Sequence, residues 1–166
     1  WVKVCTFVLS RRIRRHVVSD KDAFIVKTRS GDLLLFHRPH MDDEEHYLVV
    51  SRVPGEVLKD IQEPRGPIRE VEVLDTRIVL VEAPFEIKLG WSAPPVEVEP
   101  DTYLTLIHGI DREIEGYRVF AALFKYDRDE GIRPIAVTPY YVMEPKTVYE
   151  VFGDRPQTVF PCGVAR

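Results

Sequence analysis

Lys21 sits between Asp20 and Asp22, directly before the apolar run Ala23-Phe24-Ile25-Val26. His37-Arg38-Pro39 closes the next apolar run, Leu33 to Phe36. A guanidinium forks onto phosphate oxygens and an ammonium adds a compact point charge, so Lys21, His37 and Arg38 together can hold an anion. From spacing alone the plainer readings are a charged strand start for Lys21 and an exposed loop for His37-Arg38. The segment between them joins the two. Ser30-Gly31-Asp32 is turn chemistry, and apolar runs on either side of a turn read as a hairpin. Its register decides whether positions 21 and 38 share one end.

Other candidates are weaker. His108-Gly109 ends a mostly apolar run, where a lone histidine is usually structural. Asp111 follows in a turn and can bind a sugar hydroxyl, although acids are common in turns. His37, His40 and His46 with Asp42, Asp43, Glu44 and Glu45 invite a metal reading. Their spacing matches no closed zinc pattern, so the acidic run reads as a loop tip and no metal is expected. Gly90-Trp91-Ser92-Ala93-Pro94 is not a nucleophile elbow, because Pro94 stands where the second glycine belongs. Carboxylates are plentiful, but a glycosidase pair cannot be picked out by spacing.

The elements that would carry these residues are short strands. Residues 2–9 alternate with both faces largely apolar, which predicts a buried strand. Further strands are predicted at 23–26, 33–36, 47–50, 71–73, 78–81, 103–108, 117–124, 134–137 and 158–162. Polar turns fall at 111–116 and 127–133. Glu56 to Gln62 allows one short helical turn. No stretch sustains a 3.6-residue period over ten positions. Many short strands with regular turn signals predict an all-β domain, whether sandwich, barrel or propeller.

Composition narrows the function. The 166 residues are about one domain, and 45% hydrophobic content supports a sizeable core. A net charge of -4 argues against bulk affinity for nucleic acid. The run Arg11-Arg12-Ile13-Arg14-Arg15-His16 lacks interleaved aromatics and reads as a solvated edge or turn. No apolar run approaches the roughly 18 residues of a membrane span, and no signal peptide is visible. Cys5 and Cys162 make no disulfide framework, so a reduced cytoplasm is the default. Cys162 reads as a small buried hydrophobe. There is no Asn, Gln occurs only at 62 and 157, and 30% of residues are charged. That pattern predicts a hyperthermophilic source.

Several short segments, in order, resemble glycoside hydrolase family 130, the β-mannoside phosphorylases and related enzymes. Lys21-Asp22-Ala23 resembles the family's Lys-Asp-Ala element, although Phe24-Ile25-Val26 replaces its usual continuation. His37-Arg38-Pro39 matches its His-Arg-Pro. Gly90 with Pro94-Pro95 resembles Gly-x-Gly-x-x-Pro, with Ser92 in place of the second glycine. Ile107-His108-Gly109-Ile110 resembles Tyr-His-Gly-Val without its tyrosine. Ala121-Ala122-Leu123-Phe124, Tyr149-Glu150 and Phe160-Pro161-Cys162-Gly163 continue the series.

The resemblance implies a five-bladed β-propeller, of which residues 1–166 form a single, partial domain supplying about the later blades. It implies cleavage of β-mannosidic bonds with phosphate or water as nucleophile. Lys21, His37 and Arg38 would hold phosphate. Asp22, His108 and Asp111 would face the sugar. No cofactor is implied beyond inorganic phosphate as co-substrate, and the partner is an oligosaccharide or mannoside, with neither nucleic acid nor membrane. The family's catalytic Asp lies in an Asp-Pro-Arg element, and no such string occurs here; Asp154-Arg155-Pro156 is out of order. A non-catalytic carbohydrate-binding or structural segment is therefore the alternative. The sequence begins at Trp1, and the terminal strands are apolar. Completion by further residues, by a second copy or by another chain is expected.

Overall fold

The computed structural model describes residues 3–64 and 67–164. Val2, at the start of the predicted first strand, lies outside them. β1 (Cys5–Val8) leads through one helical turn, α1 (Arg11–Arg14), into β2 (Val17–Lys27) and β3 (Leu33–Met41). β4 (Leu48–Val53), α2 (Val57–Gln62), β5 (Arg69–Glu72) and β6 (Leu74–Leu80) follow. The second half holds β7 (Glu86–Trp91), β8 (Val96–Glu99), β9 (Thr102–Asp111), β10 (Tyr117–Asp127), β11 (Gly131–Val137) and α3 (Val148–Phe152). The fold is all-β, as expected.

Two antiparallel sheets dominate. The first has the order β2-β3-β4-β6 and the second β7-β9-β10-β11, with β8 pairing on β9. Parallel pairing of β1 with β5 makes a small third sheet. The turns follow from local chemistry. Gly31 takes φ +88 in the β2–β3 turn, and Gly131 takes φ +78 after Asp127, whose Oδ1 accepts from the N–H groups of Asp129 and Glu130.

β3 explains the core. It is buried on both faces, which is why Leu33 to Phe36 reads as an unbroken apolar run. Leu34 and Phe36 enter the cluster between the two large sheets, with Trp91, Tyr103, Ile107 and Phe124. Leu33 and Leu35 face the other way, onto Val53, Val57, Val71 and Val73. Phe36, Trp91 and Phe124 meet edge to face, with centroids 5.2 to 6.3 Å apart. The Trp91 indole N–H donates to the His37 carbonyl at 2.9 Å, tying β7 to β3 across the seam.

Two expectations need correction. No strand forms over 158–162; Thr158 makes one isolated bridge to Tyr117, and the residues after it are irregular. Pro156 and Pro161 have no N–H for a ladder. Cys162 is exposed rather than buried. The Arg11–His16 run is a solvated turn as expected, here helical over Arg11–Arg14, with Arg14 paired to Glu70. Elements outside the predicted set are β7, β8 and α3. The C-terminal part shows much apolar surface: Val148, Tyr149 and Phe152 are each more than 70% exposed. Among the described residues no helix is long and apolar enough to cross a membrane.

Candidate functional site

Register brings two of the three predicted anion ligands together. Lys21 stands directly across from Arg38 in the β2–β3 ladder. Just beyond, the ladder slips between Lys21 and Phe24, and Asp22 takes φ +53. Such a bulge re-aims a side chain, and here the Asp22 carboxylate meets Arg38. Arg38 Nε donates to Asp22 Oδ2 at 2.7 Å, with side chains only 8% and 20% exposed. Lys21 is exposed and forms no ion pair with the described residues.

His37 does not join them. Successive strand residues alternate, so its ring lies on the opposite face from Arg38. Its Nδ1 is 2.7 Å from Asp20 Oδ2 and its Nε2 is 2.9 Å from Ser51 Oγ. Ser51 in turn meets Thr76 at 2.7 Å. Both ring nitrogens already have partners within the fold, and the ring braces β3 from the face opposite Arg38.

The second sheet supplies the other wall. Gly90 of β7 stands opposite His108 of β9. A Cβ at Gly90 would come within 2.2 Å of His108 Cε1 and Nε2 and within 2.6 Å of Asp22 Oδ2. Glycine is therefore required where β7 passes beneath the ring. His108 is 2% exposed, with Nδ1 3.0 Å from Ser92 Oγ and Nε2 4.0 Å from Asp22 Oδ2. Phe160 and Tyr117 pack against the ring, with centroids 4.4 and 5.7 Å away. The irregular C-terminal segment thus covers His108 without forming a strand.

The electrostatics of this corner are cationic. Burial lowers the His108 pKa to about 4; Arg38 and Lys88 push the same way, against Asp22. Burial also lowers the His46 pKa, again with Arg38 and Lys88 contributing. Lys88 was not singled out in the sequence. Its signal was a lone cation two residues before Gly90 in the otherwise apolar run Ile87-Lys88-Leu89. Ser92 was noted only for the elbow it fails to make and as the residue in place of a motif glycine.

Asp111 lies elsewhere. Its Oδ1 accepts from the backbone N–H groups of Glu113 and Ile114, as a turn-capping acid does. It pairs in register with Glu86, and an odd separation from His108 places it on the other sheet face. That face borders a largely apolar cavity of about 490 Å³ lined by Glu86, Phe120 and Tyr141. His40 and His46 stack at 4.3 Å, and His40 meets Glu44. No three His, Cys, Asp or Glu side chains among the described residues converge as metal ligands do.

Two outcomes follow from this geometry. Gly90→Ala should cost roughly 1–3 kcal/mol through overpacking. Gly55→Ala, with nothing within 4 Å of the added methyl, should stay within about 0.5 kcal/mol. Denaturant titration compares them, and equal effects would contradict the close approach. The second outcome concerns pH. The unfolded chain protonates His108 near 6.5 and the folded chain near 4, so stability falls as pH drops through that window. The melting temperature of His108→Gln should depend less on pH there than that of the wild type. Parallel curves would contradict it.

Comparison with known proteins places this site in context. A family model described as beta-1,4-mannooligosaccharide phosphorylase matches residues 2–166. Among solved structures, the chain resembles the beta-1,2-mannobiose phosphorylase from Listeria innocua, solved in complex with beta-1,2-mannobiose, with a TM-score of 0.67 and 22% identity. The likeness covers 90% of this chain and 38% of that one, so the chain spans well under half of that protein's length. At this identity it speaks for the fold. No curated protein matches significantly. With the family model matched over almost every residue, the chain belongs to glycoside hydrolase family 130.

Proposed function

We propose that this chain supplies the phosphate- and sugar-binding corner of an enzyme that cleaves β-mannosidic bonds, with its two large sheets as neighbouring blades of a five-bladed propeller. Family membership supports the substrate class. The observation that carries the site is the Arg38–Asp22 pair set beside His108, where β2 and β7 meet and where the charge of Lys88 is also felt by the ring. Lys21 stands across the ladder from Arg38. Arg38, Lys21 and Lys88 in this corner, with Asp22 pairing only Arg38, suit an anionic nucleophile such as inorganic phosphate.

Each residue then has a role. Arg38 Nε is committed to Asp22, which leaves the two terminal nitrogens of the fork for the anion. Lys21 and Lys88 add point charge. The second oxygen of Asp22 and the Nε2 edge of His108 face the sugar. Asp111, on the other sheet face, is given no sugar contact in this reading. In phosphorolysis a phosphate oxygen bonds to the anomeric carbon as the glycosidic C–O bond breaks, and the departing oxygen takes a proton from an acid. No residue of this chain is assigned that acid. Water in place of phosphate gives hydrolysis.

Titration calorimetry with inorganic phosphate tests the anion site. The wild type should bind, and Lys21→Ala or Lys88→Ala should weaken binding roughly tenfold each, the loss expected for one charge-assisted contact. Lys27→Ala, at the far end of β2, should change nothing. Equal affinity in all four proteins, or no binding by the wild type, would overturn the assignment.

A further inference from the structure

Ser92 follows β7 immediately, and its backbone N–H donates to the Leu106 carbonyl at 2.9 Å. That bond pins it beside β9. Its side chain is buried, at 3% exposure, and Oγ lies 3.0 Å from His108 Nδ1. The rest of the ring is enclosed by Gly90, Phe160 and Tyr117. Its other nitrogen, Nε2, faces Asp22 Oδ2 at 4.0 Å.

A neutral imidazole carries one N–H, on either nitrogen. If Nδ1 held the proton, it would donate to Ser92, and the bare Nε2 lone pair would point toward the Asp22 carboxylate. Two electron-rich atoms would then face each other in a poorly solvated corner. If Ser92 donates its hydroxyl proton to a bare Nδ1, the N–H sits on Nε2 and points toward the carboxylate. The second arrangement is favourable at both ends. The 4.0 Å separation is too long for a direct hydrogen bond, so the Nε2–H remains available to a third group.

We propose that Ser92 is a positioning residue that holds His108 as its Nε2–H tautomer, so that the ring offers a neutral hydrogen-bond donor to a sugar hydroxyl or phosphate oxygen beside Asp22. Ser92 acts through His108 and does not touch the ligand. The identity of the ligand rests on the function proposed above; the tautomer does not. Glycine, which the resembled motif carries at this place, has no hydroxyl to donate, so this control belongs to the present chain.

Nitrogen-15 NMR of histidine-labelled protein at neutral pH tests this, with His108 assigned by loss of its signals in His108→Gln. The wild type should show a protonated, pyrrole-type Nε2 and a bare, pyridine-type Nδ1. Ser92→Ala should move the ring toward the Nδ1–H form or a mixture, and Ser92→Thr, which keeps the hydroxyl, should restore the wild-type pattern. A wild-type ring protonated on Nδ1 would overturn the proposal, as would a tautomer unchanged in Ser92→Ala. If Ser92→Ala does not fold, the wild-type spectrum alone decides. Phosphate titration separates the two readings: a wild type that binds no phosphate yet shows Nε2–H removes the functional assignment and leaves the tautomer control standing.

Discussion

The ion pair between Arg38 and Asp22 is the constraint on which this corner depends. Burying two charges is expensive, and the cost is tolerable only when geometry is close and the remaining polar atoms find partners. Here the contact is 2.7 Å, and both side chains are largely withdrawn from water. The pair joins two strands through the bulge in β2, and its carboxylate also faces His108 from the second sheet. A local backbone irregularity is thereby linked to the packing of two sheets. The strained φ of Asp22 is the cost of aiming its carboxylate at the seam.

β3 sets which residues face that seam. Because it is buried on both sides, parity alone sends Leu34, Phe36 and Arg38 toward the second sheet, and Leu33, Leu35 and His37 away from it. His37 then serves the fold: Asp20, Ser51 and Thr76 form a polar chain behind the strand while the Trp91 indole binds its carbonyl. Arg38 faces the site. Two adjacent residues of one motif thus do different work for a reason that lies in the pleat. On the opposite wall, the missing side chain of Gly90 lets His108 lie close to Asp22. Burial beside two cations keeps that ring neutral at ordinary pH.

Much of this was legible in the sequence. The all-β class, most strands, the helical turn before Gln62 and the hairpin through Ser30-Gly31-Asp32 follow from periodicity and turn chemistry. The ordered segments from Lys21 to Gly163 pointed to the family that the comparisons show. What stayed hidden depends on register and on long-range packing. Nothing local says that Lys21 meets Arg38, or that a bulge turns Asp22 onto the same side. Lys88 and Ser92 gain meaning only once β7 lies against β9. Asp111 looked like a companion of His108, but an odd spacing puts it on the other face. The apolar letters of 158–162 suggested a strand, yet prolines and packing against His108 left it irregular. One signal was present and overlooked: Thr147 and Glu150 form the capping box that starts α3.

A double-mutant cycle between Asp22 and Arg38 is the most direct test of the account. Asp22→Asn and Arg38→Met each leave one buried charge uncompensated, and each should cost roughly 3–5 kcal/mol in denaturant unfolding. The double variant removes both charges and should cost less than the sum of the singles, by about 1–3 kcal/mol. Strict additivity, or single variants as stable as the wild type, would show that the pair does not hold the two sheets' corner together.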